Sequence, residues 1–205
     1  GVIDLQTGQQ VHTLIRDTSL PDTSSFSLGF VEVGERVVLV HATGWNRLDA
    51  TDIVSGRLLT ERGPTKYVDG KEPPHYLDYF HSSLSVSPDS AWLITNGWVW
   101  HPVGYMAAWH TNAWLGENGN MWESEDGPTK FSIDETGAGY FWDRPNCWLD
   151  DNTIAFWGRG DDDEELGDAV GIYSLSERKL LRWLEGPHAR DGFLVNGHAC
   201  LDDAF

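Results

Sequence analysis

The stretch Val86-Ser87-Pro88-Asp89-Ser90, followed by Ala91-Trp92-Leu93-Ile94, decides the fold. Proline and aspartate prefer the early positions of a tight turn. The residues on either side of the turn are largely apolar, β-branched or aromatic, as pleated strands require. The stretch therefore predicts a β-hairpin, with two strands joined by a short polar turn.

The same hairpin pattern returns along the chain. Residues 30–36 lead into the apolar run 37–40, residues 148–152 lead into 153–157, and a further copy begins at 200–203. The copies start at intervals of about 52 to 62 residues. A period of this size indicates an architecture built from repeated supersecondary units.

Two other anchors keep the same order between the hairpins. The turn Asp-Leu-Gln-Thr-Gly at 4–8 is matched by Asp-Ile-Val-Ser-Gly at 52–56 and more loosely by 173–180. Gly-Pro-Thr-Lys-Tyr at 63–67 recurs as Gly-Pro-Thr-Lys-Phe at 127–131, and Gly-Pro returns at 186–187. Proline after glycine ends a strand. Three anchors in a fixed order predict an all-β chain of repeated antiparallel strands.

The Ser87-Pro88-Asp89 turn, together with the Asp-x-x-[Ser/Thr]-Gly turns at 4–8 and 52–56, resembles WD-repeat and YVTN-like β-propellers. The resemblance covers essentially the whole chain through short motifs. It implies four-stranded antiparallel blades arranged radially about a channel, as in a larger bacterial-type propeller. The chain departs from the WD pattern because its single Trp-Asp pair, Trp142-Asp143, lies in a connection between blades.

The anchors predict one β-propeller domain or fragment of about 3.6 blades. Its predicted parts are the outer strands of a preceding blade at 1–16, blades at 26–67, 80–131 and 145–188, and the inner strands of a following blade at 194–205. Because the sequence stops at Phe205 just where a strand should begin, we expect an internal piece of a larger ring. The alternative is a four-bladed ring closed by its own ends. Open sheet edges would favour self-association.

Charge and composition exclude several classes of partner. Thirty-two acidic residues against 14 basic ones give a formal net charge of −18, which repels phosphate backbones and anionic membranes. We therefore expect no nucleic acid or membrane partner. Solubility is the favoured explanation of the charge, and a basic partner or a cation is the alternative. No run of 18 apolar residues exists to span a membrane. Cys147 and Cys200 are too few for a disulfide framework, which indicates a reducing compartment, so we expect a cytoplasmic protein.

An aromatic segment at 96–105 is the strongest candidate for binding. Tryptophan is abundant, at 11 residues, and aromatic faces suit sugars, peptides and cations. The sequence favours a structural interpretation, in which Trp98 and Trp100 alternate on one strand and pack between blades; the alternative is a binding platform. The candidate binding residues are Trp98, Trp100, His101, Tyr105, Trp142, Arg144 and His81.

Signals for a metal, a cofactor or catalysis are weak. His75 and His81 lack a recognised ligand spacing, and the acidic run 161–165 lacks the alternating pattern of a calcium loop. The nucleophile elbow, the phosphate loop and the His-Glu-x-x-His motif are absent from the sequence. We therefore expect no metal or cofactor, and a non-enzymatic propeller that binds a protein or peptide. The alternatives are a hydrolase propeller and a sugar or small-ligand binder.

Overall fold

A computed structural model describes residues 1–15, 24–100, 103–116, 131–133, 142–160 and 166–186. For residues 105, 131, 132, 160 and 166 it describes the backbone only. The predicted strands at 194–205 and the acidic run 161–165 lie outside this part of the chain. Within it, antiparallel strands dominate and one short helix is present, α1 (Thr111–Leu115).

The strands form four antiparallel sheets in which spatial order follows sequence order. The first sheet contains β1 (Val2–Ile3) and β2 (Gln10–His12), and the second contains β3 (Leu28–Val33), β4 (Arg36–Gly44) and β5 (Arg47–Asp52). The third contains β6 (Leu84–Val86), β7 (Trp92–Val99), β8 (Val103–His110) and β9 (Phe131–Ser132). The fourth contains β10 (Asn146–Trp148), β11 (Thr153–Gly160), β12 (Leu166–Ser174) and β13 (Lys179–Glu185). The third and fourth sheets confirm the prediction of four-stranded antiparallel sheets.

The second sheet has three strands and a short paired edge beside β5. Thr51 and Leu58 form an isolated bridge, and the amide of Leu59 donates to the Ala50 carbonyl at 2.8 Å. The residues after the Asp52 turn therefore run back along β5 without forming a regular strand.

Aspartates at the repeated turns stabilise them locally. The Asp150 carboxylate accepts hydrogen bonds from the amides of Asn152 at 2.8 Å and Thr153 at 2.7 Å. Asp52 does the same for the amides of Val54 and Ser55. Hydrogen bonds to a carboxylate favour its charged form, so they lower the pKa values of Asp52 and Asp150. Both acids therefore cap their turns.

The second and third sheets share one apolar core. Val31, Val38, Val40 and Leu48 from the second sheet lie in the same buried cluster as Leu93, Ala107 and Trp109 from the third, with Trp114 of α1. Each of these side chains is almost fully buried. Removing this much apolar surface from water is the main favourable term in holding the two sheets face to face.

The opposite face of the third sheet packs against the fourth. Ile94, Met106 and Ala108 lie in a second buried cluster with Ile154, Phe156 and Tyr173. Leu93 and Ile94 are neighbours in sequence but enter different cores, because successive side chains of a strand point to opposite faces. The third sheet is therefore buried between its two neighbours.

The first strands of successive sheets come close together. β3 lies against β6, and a Cβ added at Gly29 would be 3.2 Å from a Val86 methyl carbon. Meander sheets that stack face to face, with their first strands converging, are the blades of a propeller. The fold is all-β and propeller-type. The blade boundaries and the closure of the ring remain predictions. Within the described ranges no helix is long and apolar enough to cross a membrane.

Candidate aromatic binding face

One edge of the sheets gathers a group of stacked aromatic side chains. β4, β7 and β11 end at this edge, which we call the upper edge, and the connections between blades return to it. Trp45 immediately follows β4, as Trp100 immediately follows β7. The connection into β6 reaches the same place, because Phe80 pairs with Trp98 through the backbone, at 2.7 and 3.1 Å.

Four rings at the upper edge stack in a continuous series, the aromatic column, formed by Trp45, Phe80, Trp98 and Trp142. Ring centroids are 4.2 Å apart between Trp45 and Phe80, and 3.8 Å apart between Phe80 and Trp98. Trp142 stacks on Trp98 at 5.3 Å. The column joins a hairpin tip of the second sheet, a hairpin strand of the third, and two connections between blades.

Within the column, neighbouring rings cover one another's faces. Trp45 and Trp98 both stack on Phe80 within 4.2 Å, so they occupy its two opposite faces. Trp98 is stacked against Phe80 and Trp142 and is only 4% exposed. Sugars and cations bind aromatic residues through free ring faces. The inner rings of the column therefore do not offer a surface for stacking a ligand.

Trp100 is the accessible ring beside the column. Its residue is 60% exposed, and its centroid lies 6.1 Å from both Phe80 and Trp98. The contrast with Trp98 arises because β7 ends at Val99, so Trp100 leaves the strand and does not continue its alternation. Trp98 packs inside the protein and Trp100 lies on its surface. The packing interpretation therefore fits Trp98, and the binding interpretation can apply only to Trp100.

Several contacts hold Trp98 in the column. Its indole Nε1 donates to the Ser24 hydroxyl at 3.0 Å, and the amide of the preceding residue, Gly97, donates to Tyr79 Oη at 2.6 Å. Glycine is required at 97 for space: a Cβ there would overlap the Phe80 carbonyl oxygen and lie 2.8 Å from Tyr79 Oη. The chain can approach β7 this closely only because position 97 has no side chain.

Two tyrosines extend the aromatic group beyond Trp45. Tyr76 contacts Trp45 edge-on at 6.3 Å, and Tyr67 contacts Tyr76 at 5.1 Å. The Tyr67 hydroxyl donates to Glu72 at 2.7 Å, and this hydrogen bond raises the pKa of Tyr67. Tyr67 is exposed, so this series of aromatic contacts ends at an accessible ring in the connection after β5.

Two of the predicted binding residues lie in the interior. His81 is buried, with its ring 5.1 Å from Tyr79 and 5.9 Å from Trp109. Arg144 is also buried; its guanidinium donates to the Gly158 carbonyl at 3.0 Å and lies 5.3 Å from the Phe156 ring centroid. Both follow a column residue closely in sequence, but their side chains support the blades from inside.

The remaining predicted residues are described only in part. His101 lies outside the described residues. Tyr105 pairs with Gly97 through the backbone of β8, and its side chain is not described. The structure therefore brings together Trp98, Trp100 and Trp142 from the predicted set. Within the described ranges no group of three or more His, Cys, Asp or Glu side chains is arranged to hold a metal ion.

Sequence reasoning missed Trp45 and Phe80. A signal for Trp45 was present, because it occupies the same place after the second strand of its repeat as Trp100 does in the next. Phe80 had no such signal. It lies in a long connection, and only the folded chain shows that it pairs with β7.

Comparison with known proteins gives a distant structural likeness. No protein-family model matches the chain, and no curated protein matches it significantly in sequence. The chain is similar to the β-propeller domain of Cps50 (Swd1) from Myceliophteria thermophila, with 14% identity and a TM-score of 0.40. The match covers 78% of this chain and 43% of that one, so the chain spans less than half the length of the solved protein. The propeller-type fold follows from the sheets and their shared cores alone.

Proposed function

We propose that this chain is a non-enzymatic β-propeller, of the WD-repeat or YVTN-like kind indicated by its turns, that binds a protein or peptide at its upper edge. Trp100 inserts into an apolar recess of the partner. The aromatic column holds the base of Trp100 in place, and Tyr67 and Tyr76 extend the contact surface.

The exposed Trp100 ring is the observation that carries this proposal. A tryptophan that is 60% exposed leaves a large apolar area in water. Tryptophan is enriched among the few residues that dominate protein interfaces. The neighbouring rings limit its freedom before the partner arrives, which lowers the entropy lost on binding.

Ring geometry and charge favour a basic peptide over a sugar. Phe80 and Trp98 have their faces covered, so the column offers no row of open rings for successive sugar units. The net charge of −18 attracts positively charged segments and accelerates their association at low salt. We therefore expect a partner segment with an apolar anchor flanked by lysine or arginine.

A displayed library of random dodecapeptides tests the proposal. Selection on the purified chain should enrich peptides with an apolar residue between basic ones, and synthetic copies should bind with an affinity that falls as salt rises. Trp100→Ala should weaken their binding about tenfold or more. Val54→Ala is the matched control, because Val54 is 90% exposed but lies in the turn at the opposite edge, and its variant should bind normally. Equal binding by the wild type and Trp100→Ala would contradict the proposal.

A further inference from the structure

The Asp143 carboxylate joins three separate segments of the chain. One oxygen, Oδ1, accepts a short hydrogen bond from the Ser82 hydroxyl and another from the Ser83 amide at 3.2 Å. The second oxygen, Oδ2, accepts from the Ser25 amide at 2.9 Å. The Ser25 amide also lies 3.0 Å from the Ser82 hydroxyl oxygen. Charge-assisted hydrogen bonds of this kind are stronger than neutral ones.

Each of these segments also supplies a ring of the aromatic column or a hydrogen bond to it. Ser24, next to Ser25, accepts the hydrogen bond from the Trp98 indole. Phe80, two residues before Ser82, is the ring between Trp45 and Trp98. Trp142 directly precedes Asp143 and stacks on Trp98. One carboxylate therefore links the elements whose rings stack.

The backbone at Asp143 is also held in an unusual conformation. Its φ is 58°, in the left-handed region that residues other than glycine rarely adopt, although aspartate tolerates it better than most. The amide of Asp143 donates to the Asn96 carbonyl at 3.1 Å, and the Asn96 side chain donates to the Arg144 carbonyl at 2.6 Å. Such a conformation persists when its surroundings fix it, as these hydrogen bonds do.

We infer that Asp143 is the positioning residue of the upper edge: its carboxylate fixes the register of three connections and so holds Trp142 and Phe80 against Trp98. This inference rests on the proposed function for its biological meaning, because the column supports Trp100. Ser82 is fully buried, as expected of a side chain that joins connections inside the fold.

Two conservative variants test this role. Asp143→Asn keeps one acceptor oxygen but replaces the other with an amide group that cannot accept from a backbone N–H. Ser82→Ala removes the hydroxyl donor and leaves the carboxylate in place. Asp150→Asn is the matched control, because Asp150 accepts two backbone hydrogen bonds within its own turn at the opposite edge.

Near-ultraviolet circular dichroism reports on the stacked indoles without any ligand. We expect Asp143→Asn and Ser82→Ala each to reduce the signal from the Trp98–Trp142 pair by about half or more, since coupling between rings depends on their orientation. The double variant should be little worse than either single one, because both act on the same linkage. In a Trp142→Phe background, Asp143→Asn should have little further effect. Asp150→Asn should match the wild type.

Peptide affinity then tests the functional part separately. Peptides selected on the wild type should bind Ser82→Ala and Asp143→Asn about fivefold or more weakly, at a temperature where far-ultraviolet spectra show native strand content. An unchanged near-ultraviolet spectrum in both folded variants would overturn the positioning role. A changed spectrum with unchanged affinity, while Trp100→Ala still weakens binding, would overturn the part of the inference that makes the column a support for Trp100. Failure of Trp100→Ala alone to weaken binding would instead refute the proposed function. Should Asp143→Asn fail to fold, Ser82→Ala alone decides between these outcomes.

Discussion

At the scale of single residues, Trp98 and Trp100 show how one strand end separates a buried ring from an exposed one. The two residues are close in sequence and chemically identical, yet one is 4% and the other 60% exposed. Trp98 is still inside β7, where backbone pairing with Phe80 and the Ser24 hydrogen bond hold it. Trp100 lies just beyond the last residue of the strand.

Truncating the two tryptophans should therefore have unequal effects on stability. We expect Trp98→Ala to lower the free energy of unfolding by about 3 to 5 kcal/mol, the usual cost of deleting a buried aromatic side chain. Trp100→Ala should change it by less than about 1 kcal/mol, as exposed substitutions do. Urea unfolding followed by far-ultraviolet circular dichroism measures both. A loss of about 3 kcal/mol or more in Trp100→Ala would make Trp100 a packing residue.

A second residue-scale feature is the buried imidazole of His41 on β4. Burial lowers the pKa of His41 and the nearby His12 adds to this effect, while Asp49 opposes it. The His12 ring, on β2, lies 5.6 Å away and edge-on. Asp49, on β5, is itself paired with Arg47 at 2.9 Å and Arg62 at 3.4 Å. Burial therefore favours the neutral form of His41 in the folded protein.

The depressed pKa of His41 makes stability depend on pH. The unfolded chain binds the proton near pH 6.5, whereas the folded chain binds it only at lower pH. Its contribution is thus fully present above about pH 6.5 and is lost as pH falls from there towards the folded pKa. We expect the melting temperature of the wild type to fall more between pH 7.5 and 5 than that of His41→Gln. Parallel curves for the two proteins would contradict this assignment.

At the scale of elements, the extra pairing beside β7 depends on a single glycine. β6 pairs with β7 through Thr95, and the connection before β6 then pairs again at Trp98 through Phe80. Gly97 lies beneath this second contact. β7 is thereby paired along more of its length than β6 alone covers, and the added pairing places Phe80 in the column.

Filling the space at Gly97 should break that pairing. Gly97→Ala forces the Phe80 carbonyl and the Tyr79 ring away, and we expect it to cost about 2 kcal/mol or more, as overpacking does. Gly167→Ala is the control: it is also a strand glycine, but its nearest neighbour to an added Cβ is at 3.5 Å, so that variant should be neutral or slightly more stable. Chemical denaturation compares the two. Equal stabilities would show that the connection shifts freely.

At the scale of the whole molecule, the repeat predicted local structure better than it predicted the site. Turn chemistry and alternating apolar residues specify hairpins such as β6–β7 and β10–β11, because both act between neighbours in sequence. The column depends on connections whose length varies from blade to blade, and no short-range rule places Phe80 on β7 or Asp143 beside Ser82. The interior positions of His81 and Arg144 were equally beyond a pattern of residue types.

The third sheet, β6–β9, separates two buried cores, one on each of its faces. Leu93 lies in one core and Ile94 in the other, although the two residues are adjacent in sequence. Leu93→Ala should therefore speed amide hydrogen exchange in β4 and β5, and Ile94→Ala in β11 and β12, since each opens a cavity on one side only. The same pattern of faster exchange from both variants would mean that a cavity on one face of the third sheet also destabilises the strands packed on its other face. Two residues adjacent in sequence thus hold the third sheet against different neighbouring sheets.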